Sequence, residues 1–181
     1  RIALQGAVIG SAALGVRAFL CLTGDDPKTG DQPETKGVFD IGSADLMATI
    51  RDIGAGKLPS GRDVAGAVEL YPGCADMPID PKPDWQPKAL LDKIQNGARF
   101  AQTQFCMDAD ILRRYVARLH DCGVPKDFPL LIGIAPLASA KSARWIVDNL
   151  FGSIIPASMI ERLDAASDQR AEGRAIALEL I

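Results

Sequence analysis

The sequence predicts an α/β protein built on a parallel sheet, and three observations predict it. Four short apolar runs carry few charges and have the length of strands buried on both faces: residues 18–22 (AFLCL), 64–70 (VAGAVEL), 100–105 (FAQTQF) and 130–134 (LLIGI). Helical patterns lie between them. The runs recur at spacings of roughly 30–45 residues, the length a parallel crossover needs.

The elements follow in order. Residues 2–14 read as a small-residue helix ended by Gly15 in the position after the cap. The run 18–22 stops at Gly24 and two aspartates, Asp25 and Asp26. Ser43 stands where an N-cap is expected, before a helix carrying Leu46, Met47, Ile50 and Ile53 and ended by Gly54. The run 64–70 is closed by Tyr71-Pro72-Gly73, read as a turn. Pro87 opens a helix with Leu90, Leu91 and Ile94 on one face, ended by Gly97. After the run 100–105, Asp108 caps a helix carrying Ile111, Leu112, Tyr115, Val116 and Leu119, ended by Gly123. Pro136 closes the run 130–134, a helix follows Ser139, and Pro156 opens the last helix, in which the chain stops at Ile181. The segments after the first two strands, 24–42 and 71–86, are long, polar and stiffened by proline, and long loops in a compact domain are usually functional.

Bulk properties bound the answer. A chain of 181 residues is one domain's worth, or a piece of a larger protein. It begins with Arg1 inside one helical pattern and ends inside another, which reads as a partial sequence. The net charge of -3 offers no basic patch for nucleic acid. No apolar run approaches the roughly 18 residues of a membrane span. The opening RIALQGAVIG carries Gln5 and no cleavage site, so it is not read as a signal peptide. Cys21, Cys74, Cys106 and Cys122 are far apart with no CxxC pair, the usage of a cytoplasmic protein with reduced thiols and no zinc site. His120, the one histidine, sits near a helix end and reads as a surface residue; no metal-ligand set stands out.

A doubly wound sheet and a (β/α)8 barrel both fit this alternation. A barrel takes about 250 residues, so four βα units would be half of one. Half a barrel has two bare edges, which invite aggregation, a second copy or a partner subunit; either the remaining strands lie outside this sequence or the fold is an open sheet.

Four motifs in order carry a family resemblance: LTGDDPKTGD after a strand, SADL at the next helix start, LLDKIQNGARFAQTQFCMDAD, and LIGIAPLAS. The set resembles the methylenetetrahydrofolate reductase family from residue 1 to about 165. The resemblance implies a TIM barrel that binds FAD at the C-terminal ends of its strands. These strands would be four to seven of that barrel, in one incomplete domain spanning residues 1–181. The N-terminal glutamate that the family uses as general acid lies outside this sequence. The implied reaction passes a hydride from NAD(P)H to FAD and then to 5,10-methylenetetrahydrofolate, giving 5-methyltetrahydrofolate for methionine biosynthesis.

The resemblance also names site residues, each with a plainer structural reading. Asp25 matches the family aspartate beside the flavin and the pterin; alone, it is a turn aspartate. A fixed carboxylate there disfavours an anionic reduced flavin and stabilises cationic folate species. Gln104 matches the substrate glutamine, an amide that donates and accepts at once, as a pterin and a carboxamide both require. It shares a strand face with Gln102, while Thr103 points the other way. Thr23, Gly24, Asp25, Ser43, Ala44, Ala67 and Lys93 form the implied cofactor set. Lys93 supplies a point charge for the pyrophosphate, although it also fits a solvated helix lysine. Thr23 stands where the family commonly has arginine, and the loop near Tyr71 has no histidine, so two phosphate contacts are missing. That leaves open an FAD-independent reductase of the same family. A non-catalytic folate- or flavin-binding module is a further alternative. An aldolase-type barrel would need a strand-end lysine, which none of the four runs contains. Trp85 and Trp145 read as packed indoles.

Overall fold

The computed structural model describes all 181 residues, Arg1 to Ile181. The fold is α/β, with elements in the order α1 (Ile2–Ala13), β1 (Ala18–Cys21), α2 (Ser43–Gly54), β2 (Tyr71–Asp76), α3 (Lys88–Gln95), β3 (Phe100–Phe105), α4 (Ala109–Asp121), β4 (Leu130–Gly133), α5 (Ala140–Asn149), α6 (Ala157–Ala165) and α7 (Gln169–Glu179). The strands form one four-stranded parallel sheet in the order β1-β2-β3-β4. No helix is long and apolar enough to cross a membrane. The chain divides into two compact units, Arg1–Ala75 with Lys88–Ala101, and Asp76–Pro87 with Gln102–Ile181.

In the first unit, α2 buries Met47, Thr49, Ile50 and Ile53 and packs on α1, β1 and α3. Each fully buried aliphatic side chain of that stripe contributes roughly 1.5–3 kcal/mol. β1 and β2 pair in parallel with Cys21 facing Cys74, both buried. The second strand differs from the sequence expectation: residues 64–70 are irregular, and the strand is Tyr71–Asp76. Tyr71 N–H donates to the Arg17 carbonyl at 2.8 Å, and the Pro72 carbonyl accepts from Arg99 N–H at 2.7 Å. Pro72 is the second residue of the strand and faces β3, which begins only at Phe100, so its missing N–H costs little. Gly73 is there for space, since a Cβ on it would stand 2.1 Å from the Phe100 ring. Residues that look like a turn are therefore a strand whose neighbour lies across the sheet.

Ser43 is the first residue of α2 and does not cap it. Gly42 holds the cap position, and the Asp45 carboxylate reaches back to accept from Gly42 N–H at 3.2 Å. An acid three residues in serves the N-cap N–H in this way, the reciprocal half of a capping box.

In the second unit, Met107, Leu137, Ala140, Ala143, Ile155, Leu163 and Ile176 form one apolar core, with α6 packed on both α5 and α7. Asp108 caps α4, its Oδ1 accepting from Asp110 N–H at 3.0 Å and Ile111 N–H at 2.9 Å. The final helix of the sequence reading is two helices. α6 stops at Ala165, and Asp168 caps α7 by accepting from the N–H groups of Arg170 and Ala171, both at 3.0 Å. Arg162 ties the two together through ion pairs with Glu172 and Glu179.

Candidate functional site

The first unit contains Thr23, Gly24, Asp25, Ser43, Ala44, Ala67 and Lys93. Thr23, Gly24 and Asp25 follow directly on the C-terminal end of β1, and all three are exposed. A Cβ on Gly24 would meet nothing within 4 Å, so the backbone there stands open to an approaching group. No ion pair or hydrogen bond engages the Asp25 side chain, in contrast to Asp26, which caps the short 3-10 turn Pro27–Thr29 by accepting from Lys28 N–H. Of the two adjacent aspartates, one is used by the turn and the other is free.

Lys93 extends from α3 to the C-terminal end of β2, where its ammonium donates to the Ala75 carbonyl at 2.7 Å. One N–H is occupied and two remain. Ser43 and Ala44, half-buried, form the first turn of α2, where helix N–H groups and the dipole suit an anion. The Asp45 carboxylate already occupies part of that position. Ala67 lies before β2, 3.5 Å from a Cβ placed on Gly56 after the end of α2. The later start of the second strand puts Ala67 at the opposite end of β2 from Lys93.

Arg99 makes a cluster that the sequence did not signal. It pairs with Glu69 at 2.8 Å and lies over the Tyr71 ring, 4.4 Å from its centroid. The hydrogen bond from Arg99 lowers the Glu69 carboxyl below its usual range. A cavity of about 250 Å³, lined by Arg51, Gly54, Leu70, Pro72, Gly97 and Arg99, opens there. It lies where β2 begins, the end away from Ala75 and Lys93, so its volume does not identify it with the cofactor set.

The second unit contains Gln104, half-buried near the C-terminal end of β3. Thr103 beside it is buried; its hydroxyl accepts from Gly133 N–H at 2.9 Å and donates to the Gln104 carbonyl at 3.0 Å. This alternation turns Thr103 inward and leaves the Gln104 amide free to reach out. Gln104 Nε2 donates to the Phe151 carbonyl at 3.2 Å, and Oε1 accepts from Phe105 N–H at 3.0 Å. An amide has two N–H groups and two lone pairs, so one of each remains. Phe151 is 47 residues away in sequence, and no local pattern points to it.

At the end of β2, Asp76 Oδ2 accepts from the hydroxyl of buried Tyr115 at 2.6 Å. Trp85 packs on Tyr115 with ring centroids 5.6 Å apart, whereas Trp145, expected to be packed, is 57% exposed. His120 is half-buried in the last turn of α4.

The model of the methylenetetrahydrofolate reductase family matches residues 1–181, the whole chain. With its alternating βα units, its free strand-end aspartate and its strand-end glutamine, the chain belongs to the methylenetetrahydrofolate reductase family, oxidoreductases of folate one-carbon metabolism.

Proposed function

We propose that this chain is part of an enzyme that reduces 5,10-methylenetetrahydrofolate to 5-methyltetrahydrofolate with hydride from NAD(P)H by way of FAD. The family match over residues 1–181 carries the reading. The sheet supports its barrel form. A doubly wound sheet reverses its strand order at a switch point, whereas barrel strands neighbour each other in chain order, as β1-β2-β3-β4 do here. On this reading residues 1–181 are one domain of a (β/α)8 barrel.

FAD, when bound, would supply the hydride relay between the two substrates. Thr23, Gly24, Asp25, Ser43, Ala44 and Lys93 would hold it, and the free N–H groups of the Lys93 ammonium fit its pyrophosphate. Ala67, the remaining member of the implied set, lies before β2. Asp25 supplies an unneutralised negative charge near the reacting ring, which stabilises positive charge developing on the folate. Gln104 offers its remaining N–H and lone pair to the pterin or to the nicotinamide carboxamide.

A second reading, an FAD-independent reductase, is favoured by the Asp45 carboxylate at the start of α2, which opposes a phosphate there. One experiment separates these readings. The purified protein is examined for flavin absorbance that bleaches with NADH or NADPH and returns with methylenetetrahydrofolate. A yellow protein that binds folate and is never reduced is a binding module. A colourless protein with turnover belongs to the FAD-independent branch.

A further inference from the structure

We propose that Phe151 is a substrate-positioning residue whose ring stacks on the flat heterocycle that Gln104 binds; the proposal rests on the reading of Gln104 as the substrate amide. Phe151 is 86% exposed, an unusual state for a large aromatic on a well-anchored turn. The turn is fixed from several sides. Gly152 has φ +80° and packs so closely on Met77 that a Cβ would stand 2.0 Å from its sulfur. The Ser153 hydroxyl lies 2.8 Å from the Leu150 carbonyl and 3.1 Å from that of Ile146. Ile154 N–H donates to the Phe105 carbonyl at 2.8 Å, and its own carbonyl accepts from Met107 N–H at 2.7 Å. The turn is therefore bound to the C-terminal end of β3, the strand that carries Gln104.

The Phe151 carbonyl sets the orientation of the amide. A carbonyl only accepts and Phe105 N–H only donates, so Nε2 must face Phe151 and Oε1 must face Phe105. The spare N–H and spare lone pair then present a donor and an acceptor to solvent in a fixed sense. A planar ring with an adjacent N–H and C=O matches them, an edge that pterin and the nicotinamide carboxamide share. An aromatic carried on that anchored turn, its carbonyl bonded to the amide, is placed to cover the face of such a ring.

The test titrates the full chain with folic acid and, separately, with NAD⁺, by calorimetry. Phe151→Ala should weaken the ring it covers by roughly tenfold, Phe151→Tyr should restore binding, and Phe151→Leu should not. Gln104→Ala should weaken the same ligand. Whichever ligand loses affinity on Phe151→Ala is the ring covered. Binding by Phe151→Ala equal to wild type for both ligands, with Gln104→Ala weakened, overturns the proposal and leaves Gln104 as the substrate amide. Wild-type-like binding by Phe151→Leu also overturns it, since bulk alone would then suffice. No change in either variant, or no binding by the wild type, overturns both. Phe151 is exposed, so an unchanged melting temperature of Phe151→Ala will separate loss of binding from loss of fold.

Discussion

At the scale of the residue, Asp25 is an exposed carboxylate with no cation beside it, next to Asp26, whose charge is spent on a turn. That difference makes the pair a matched test. Asp25→Asn keeps the shape and removes the charge. It should slow reduction of the folate by about 100-fold, the loss typical of one electrostatic contact to a transition state, and slow oxidation of the nicotinamide much less. Asp26→Asn should leave both within a factor of about two of wild type, because its role is structural and an asparagine also accepts in a turn. Stopped-flow measurement of the two half-reactions decides the matter; equal slowing of both by Asp25→Asn removes Asp25 from the site. The aspartates were visible in the sequence, Asp26 as a turn residue; the N–H it reaches, that of Lys28, was not, because a cap is defined by the backbone N–H it meets. Gln104 was legible in the same partial way. Its strand face follows from period two, whereas its partner Phe151 comes from a distant turn.

At the scale of the element, two glycines in helices predict opposite signs. A Cβ on Gly6 of α1 meets nothing within 4 Å, so Gly6→Ala should stabilise the protein by up to about 1 kcal/mol through helix propensity. A Cβ on Gly173 of α7 would stand 1.8 Å from the Leu137 carbonyl oxygen, so Gly173→Ala should destabilise by about 1–3 kcal/mol as α7 is pushed off the core. Urea denaturation of both variants checks the pair, and two shifts of the same sign would refute the packing of α7. Asp108→Ala removes the acceptor for two N–H groups of α4 and should cost about 1 kcal/mol by the same measurement. That cap was legible because capping is local: an aspartate before an apolar helical stripe announces itself. The start of β2 was not. Pro72 and Gly73 look like a turn by every local rule, and only Arg99 and Phe100, some 27 residues on, make them a strand. The break between α6 and α7 carries a local sign, Asp168 capping α7 through the N–H groups of Arg170 and Ala171, whereas the need for Gly173 within α7 comes from distant Leu137.

At the scale of the whole molecule, ionisable groups set a pH range of stability with limits of different character. Glu69, Asp80 and Glu179 are held below the usual carboxylate range by hydrogen bonds from Arg99, Arg114 and Arg162 respectively. Groups lowered in the folded state contribute stability above their unfolded values, near pH 4, and lose it as pH falls through the folded ones. These pairs are solvent-exposed, so the acid limb should be shallow and weaken further in salt. Cys21 is the opposite case. Burial, with a smaller contribution from Cys74, raises its thiol from 9.0 to about 12. The neutral thiol suits the folded state, so its contribution is complete below pH 9 and is lost as pH rises towards 12. A single group gives a slope of about 1.4 kcal/mol per pH unit in that window. Burial raises Cys106 as well and adds to the same limb. Urea midpoints between pH 3 and pH 11 should therefore show a plateau, a shallow salt-sensitive fall on the acid side and a steeper salt-insensitive fall on the alkaline side. Cys21→Ala should flatten the alkaline limb while leaving the acid limb unchanged. An alkaline limb that keeps its full slope in Cys21→Ala would mean that the thiol between β1 and β2 is not the group that limits the folded state.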